Sequence, residues 1–200
     1  MDFQQVDSSN GKPSKEVIVV SVREKIIQQL KKLFSTAKIS VHVIELDIFA
    51  AIRAIKNNYD LTGDKLVALI EIDEIGIQVT IVKDQNFFLS QEISSSKLGL
   101  ENKSLKEIDE VGQARLIARE MRRIVQDHQF GESVESINRI FLYGNVVKDG
   151  LVENLQNTYN VRIDKTNPFR NLFIGPKAST DDKISSHPEA FTVCIGSALR

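Results

Sequence analysis

Leu66-Val-Ala-Leu-Ile-Glu-Ile72, Ile75-Gly-Ile-Gln-Val-Thr-Ile-Val82 and Phe87-Phe-Leu-Ser-Gln-Glu-Ile93 follow one another in close succession. Each run is short and rich in β-branched or aromatic residues, and each reads as a strand. Only Asp73-Glu74 and Lys83-Asp-Gln-Asn86 separate them. That is hairpin spacing, so three antiparallel neighbours are predicted. After a polar loop over Ser94–Lys103, Ser104-Leu-Lys-Glu107 has the spacing of a capping box. It is predicted to open the longest helix, over Glu107–Gln126. Ile108, Val111, Ala114, Ile117, Met121, Ile124 and Val125 would share one side of it. Glu107, Asp109 and Glu110 near its start and Arg119, Arg122 and Arg123 toward its end suit the helix dipole. Ile137–Tyr143 then reads as a strand, Val147–Asn157 as a helix and Asn160–Ile163 as a short strand. A polar loop over Pro176–Ser186 precedes a last helix that begins at Pro188. From Leu66 onward the predicted order is β-β-β-α-β-α-β-α, an α/β domain on a mixed sheet.

Toward the N-terminus, Asp60-Leu-Thr-Gly-Asp64 is a turn and the predicted boundary between residues 1–60 and 61–200. Ser8-Ser-Asn-Gly-Lys-Pro-Ser14 is a polar cluster expected to be a mobile loop. Glu16–Val22 reads as a strand. Ser21 is spaced to cap a helix while Glu24 reaches back, and Ile26, Ile27, Leu30, Leu33 and Phe34 form an apolar stripe on it. A second strand is predicted over Ile39–Leu46. Asp47 is placed as the N-cap of a helix ending near Asn57-Asn58.

Apolar residues make up 42% of the 200 positions, enough for a sizeable core. A formal net charge of −1 gives no electrostatic reason to expect nucleic acid as a partner. No apolar run approaches the ~18 residues that cross a bilayer, so no membrane insertion is expected. The single cysteine, Cys194, allows no intrachain disulfide and points to a reducing compartment, and a cytoplasmic protein is expected. His42, His128, His187 and Cys194 lie far apart without paired-ligand spacing, so zinc is not expected. The chain has no G-x-G-x-x-G and no G-x-x-x-x-G-K-[ST], the usual glycine-rich phosphate cradles.

Two further stretches carry a family resemblance. Val43-Ile-Glu-Leu-Asp-Ile-Phe-Ala-Ala-Ile-Arg-Ala54 is similar to the V-D-V-E-x-F-A-x-x-R-A of PilM-like pilus assembly proteins. Phe191-Thr-Val-Cys-Ile-Gly-Ser-Ala-Leu-Arg200 resembles their terminal F-x-V-A-x-G-L-A-L-R helix. The family belongs to the actin-like ATPase superfamily, whose halves each have a ribonuclease H-like strand order. The resemblance covers nearly the whole chain, but only the C-terminal part of the family. It implies that residues 1–60 are a remnant of a first actin-like domain with its inserted subdomain. Residues 61–200 would be the second actin-like, ribonuclease H-like domain.

The resemblance also places a nucleotide site, and there the chain departs from the family. The family's second phosphate hairpin, D-I-G-A-x-x-T, aligns with Glu71-Ile-Asp-Glu-Ile-Gly-Ile77. Glu71 replaces the Asp, Asp73 the Gly and Glu74 the Ala. Two like charges ~4 Å apart cost roughly 4 kcal/mol at an effective dielectric of ~20, so carboxylates there would oppose phosphates. The alignment shifted onto Asp73, Gly76 and Thr80 needs an insertion. The family's adenosine loop, G-G-x-x-x-x-P-G-L, becomes Gly144-Asn-Val-Val-Lys-Asp-Gly-Leu151, one residue shorter, with Asn145 for the second Gly.

A vestigial nucleotide site is therefore expected at Glu71, Asp73, Gly144 and Asn145, with no catalytic residues. The resemblance implies a non-catalytic scaffold of the type IV pilus or a related secretion platform, bound to the tail of an inner-membrane pilus assembly protein and peripheral at the inner face of the cytoplasmic membrane. Homo-oligomers are expected, because residues 1–60 would lack apolar neighbours. One alternative is an actin-like protein that binds ATP with Mg²⁺, either a fragment or a half-site completed by another subunit. The other is a metal-dependent nuclease on the same fold, invited by Glu71, Asp73 and Glu74 but lacking a carboxylate in Ile140-Phe-Leu-Tyr143.

Overall fold

The structure, a computed structural model, describes residues 2–6, 16–100, 103–176 and 182–200. By internal packing the chain forms two compact units, residues 1–44 and 45–200. The expected boundary at residues 60/61 falls later than this division. The helix before it packs on the C-terminal helix, and so goes with the larger unit.

In the smaller unit, β1 (Asp2–Val6) pairs antiparallel with β2 (Glu16–Val20). The loop expected over Ser8–Ser14 lies outside the described residues. Helix α1 (Glu24–Thr36) follows, with Arg23 at its N-cap and no side-chain cap. The capping box expected at Ser21 does not form, because the helix starts too late for Ser21 to reach its first free amides. At the other end Lys38 has φ 59, and the Ile39 amide donates to the Phe34 carbonyl, which closes the helix. The apolar stripe of α1 buries no residue, and Leu33 is 65% exposed. The strand expected over Ile39–Leu46 is absent: these residues have no ladder partner, and strand propensity without one makes no strand.

The larger unit is built on a five-stranded sheet of order β5-β4-β3-β6-β7. β3 (Leu66–Asp73), β4 (Gly76–Lys83) and β5 (Asn86–Ser94) are antiparallel, as predicted. β6 (Arg139–Tyr143) runs parallel to β3, and β7 (Arg162–Lys165) parallel to β6. Asp84 and Gln85 both have positive φ, the backbone that lets a two-residue turn follow the twist of β4 and β5.

Side chains alternate across the sheet. Ala68, Ile70 and Ile72 join one core with α3 (Glu110–Asp127) and α4 (Leu151–Gln156). Val67, Leu69, Phe141 and Tyr143 join a second core with α2 (Asp47–Asn58). The short α5 (Asp182–Ser186), a 3-10 turn over Pro188–Phe191 and α6 (Thr192–Ala198) complete the chain.

Several helix starts differ from expectation. The Ser104/Glu107 box forms, but it opens a 3-10 turn over Leu105–Glu107. The long helix begins at Glu110, capped by Asp109, whose Oδ1 accepts the Gly112 amide at 2.7 Å. Ile108 and Val111 therefore stand outside the buried face, and Val111 is 48% exposed. Asp109→Ala is expected to cost about 1 kcal/mol, and Ser104→Ala about as much, in urea unfolding. Asp47 is the first residue of α2, not its N-cap; its Oδ1 accepts the adjacent Ile48 amide. α4 starts four residues late, after Gly144–Gly150 is used as loop.

The two stretches that carry the family resemblance meet. Gly196 of α6 sits on the backbone of Ala50 in α2, and a Cβ there would collide with the Ala50 carbonyl. Arg53 forks onto both Glu45 oxygens at 2.9 and 2.7 Å and also donates to the Gly196 carbonyl at 2.7 Å. Arg200 reaches the same Glu45 carboxylate at 3.3 Å. Glu45, Ala50, Arg53 and Gly196 of those stretches thus meet in one close helix crossing locked by a shared ion pair.

Candidate functional site

β3, β6 and β7 are parallel and end on the same edge of the sheet, where open α/β sheets place their ligands. The turn Glu74-Ile75 leaves β3 there, and the loop from Gly144 leaves β6. All four expected site residues lie at this edge. Glu71 stands opposite Tyr143 in the parallel register. Asp73 follows on the same strand, and its Oδ1 accepts the Asn145 amide across the loops at 3.5 Å.

Gly144 has a structural role. Its φ is +116, and any Cβ would strike the Ile72 carbonyl, so β6 can leave the sheet this close to β3 only with glycine. The Val146 amide then donates to the Ile72 carbonyl at 3.3 Å. Asn145 is exposed.

The site is acidic and partly dry. Burial pushes the Glu71 carboxyl up to about 7, and the neighbouring Asp73 and Asp47 carboxylates add to the rise. Burial, with the same three carboxylates, drives the Tyr143 phenol well up. The Tyr143 hydroxyl lies close enough to temper the Glu71 rise. Even so, it has no partner of hydrogen-bonding geometry, so burial decides the outcome.

Sequence reading missed a second group at this edge. Lys165 at the end of β7 binds Asp149 at 2.9 Å and the buried Glu189 at 3.1 Å. His187 also faces Glu189, at 3.3 Å. The Glu189 carbonyl accepts the Gly144 amide at 3.4 Å, which ties the C-terminal segment to the loop. The only signal in the sequence was a glutamate beside Pro188, because its partners lie far away along the chain. Among the described residues no group of three or more His, Cys, Asp or Glu is placed to hold a metal ion.

An adenine nucleotide with Mg²⁺ is what such a fold implies, and the residues do not fit its phosphates. The turn between β3 and β4 presents the Asp73 carboxylate, and that carboxylate already faces the Asn145 amide, a natural phosphate donor.

The strand order, the helices on both faces and the site at the ends of β3 and β6 define an actin-like, ribonuclease H-like α/β domain. Residues 1–95 match the family model of the type IV pilus assembly protein PilM, so this part of the chain is similar to that family. A solved structure described as a PilM-PilN type IV pilus biogenesis complex matches with a TM-score of 0.71 at 15% identity. That match covers all of this chain and 65% of the other, so this chain spans about two thirds of that relative's length. A Ppx/GppA family structure from Aquifex aeolicus, 11% identical, covers 88% of this chain and 70% of its own at a TM-score of 0.27, too low to weigh. None of the curated proteins matches. No helix among the described residues is long and apolar enough to cross a membrane.

Proposed function

We propose that this chain is a non-catalytic scaffold of a type IV pilus or related secretion platform, and that Glu71, Asp73, Gly144 and Asn145 are the vestige of a nucleotide site. The observation that carries the reading is the bridge from the Asp73 carboxylate to the Asn145 amide, which puts negative charge where a phosphate would sit. Glu71 and Asp47 reinforce it from β3 and α2. Gly144 serves the backbone contact with β3 and needs no nucleotide to explain it.

Calorimetry with ATP and Mg²⁺ on the full chain is expected to show no saturable heat and no hydrolysis. Saturable binding by the unmodified chain would favour an ATP-binding protein instead. Binding that emerges only in Asp73→Gly is the expected sign of an ancestral site disabled by charge.

The likeness to PilM in a PilM-PilN complex supports a partner of the same kind, the cytoplasmic tail of an inner-membrane pilus assembly protein. In this reading residues 1–60 derive from a first actin-like domain, and the chain works at the inner face of the cytoplasmic membrane. The uncovered stripe of α1 supports association, with a partner or a second copy. The full chain is expected to co-purify with such a tail when the two are co-expressed. Separate elution of both at high concentration would count against the scaffold role.

A further inference from the structure

We infer that the groove between α3 and α4 is a docking site for an acidic amphipathic helix of a partner protein, at a place separate from the Glu71/Asp73 edge. The groove has a volume of about 490 Å³. Its floor is apolar, with Val111 and Ala118 from α3, and its far wall carries Asn154 and Thr158. Each of those side chains donates one bond to its own backbone, to the Gly150 and Asn154 carbonyls at 2.8 and 3.0 Å.

Charge defines the near wall. Arg115, Arg119 and Arg122 stand at i, i+4 and i+7, one stripe along α3, and no acidic residue lines the groove with them. Arg119 is engaged, by Glu120 at 2.8 Å and the Leu98 carbonyl at 3.3 Å. Arg122 lies over the Tyr159 ring at 5.7 Å. Arg115 makes no hydrogen bond or ion pair among the described residues. A core helix needs no such stripe, and Val111 is left 48% exposed beside it.

The pattern selects the occupant. A second α3 laid in the groove would bring arginines against arginines, so symmetric pairing of copies is disfavoured. A concave apolar floor with a one-sided rim of cations fits a helix that has apolar residues on one face and carboxylates along its flank. Arg122 also lines the adjoining surface hollow, where Glu132 and Glu135 stand with it and end the cationic stretch. The complementary acidic stretch is therefore about two helical turns, on the order of 10 Å.

The probe is a synthetic helical peptide with glutamates at i, i+4 and i+7 and leucines on the adjoining face, titrated into the full chain by fluorescence anisotropy. Saturable binding is expected that weakens with salt. Arg115→Ala with Arg122→Ala should weaken it about tenfold, the size of two partly exposed ion pairs. Arg115→Lys, which keeps the charge, should retain most of it, and Arg115→Ala alone should weaken it while melting like the unmodified chain, because Arg115 is exposed and unpaired among the described residues. Absence of binding would overturn the inference. So would equal binding of the same peptide with lysines for glutamates. Capture by phosphatidylglycerol vesicles that the double variant abolishes would make the groove a lipid site instead. Self-association in sedimentation that the double variant abolishes would assign it to a second copy.

Discussion

Gly196→Ala should destabilise this protein strongly. The added Cβ would enter the space of the Ala50 carbonyl, and neither helix backbone can yield without moving its neighbours. Ala50, Ala51 and Ala54 are fully buried on the α2 side, and Arg53 holds the Gly196 carbonyl at 2.7 Å. Overpacking a close-packed site costs about 1–3 kcal/mol, and backbone contact places this one at about 3 kcal/mol or above. Urea unfolding of the full chain reads it directly. A change below about 1 kcal/mol would mean that α6 does not press on α2 as described. Ser197→Ala is the control; Ser197 is exposed in the same helix and should be near neutral.

Stability should fall as pH rises from about 4.5 to about 7, in the span set by Glu71. Its carboxyl is raised from 4.5 to about 7 in the folded chain, first by burial and then by Asp73 and Asp47. The folded state thus holds this proton more tightly than the unfolded state does. The stabilisation is complete below the unfolded value and is lost as pH climbs through the folded one. Partial exposure reduces the full effect to about 2 kcal/mol. Glu71→Gln should remove that slope and leave the protein more stable than the parent at pH 8. Unfolding curves at pH 5 and pH 8 for both proteins test this, and a parent whose stability is flat across the range would place Glu71 in water.

The vestigial site and the groove differ in how they could be read. Glu71, Asp73, Gly144 and Asn145 were named from aligned motifs, and the fold brings all four to one edge because the parallel register sets Glu71 beside Tyr143. Lys165, Asp149 and Glu189 could not be found that way, since their ion pairs span distant segments with no shared spacing. Arg119 and Arg122 of the arginine stripe were visible as charge toward the end of a helix, which the dipole explains by itself, and Arg115 was not. Only the neighbouring α4 turned one side of that stripe into the rim of a groove.

Local chemistry determined most of the elements. Alternating β-branched runs with two-residue turns made β3, β4 and β5, since register and turn geometry are short-range matters that a few residues decide. Helix existence was likewise legible, from periodicity for α1 and α3 and from Asp47 at the start of α2. Tertiary structure decided what local chemistry leaves open. Ile39–Leu46 had the composition of a strand and no edge to pair with, so it is not one. Ser21 and Ser104 had the spacing of caps, yet α1 starts beyond the first, and the second opens only a 3-10 turn, with Asp109 capping the long helix instead. Gly144 and Gly196 were plain letters in two motifs until backbones from distant segments came within contact of each. Which glycine cannot be replaced depends on what lies against it, and that is a property of the folded chain.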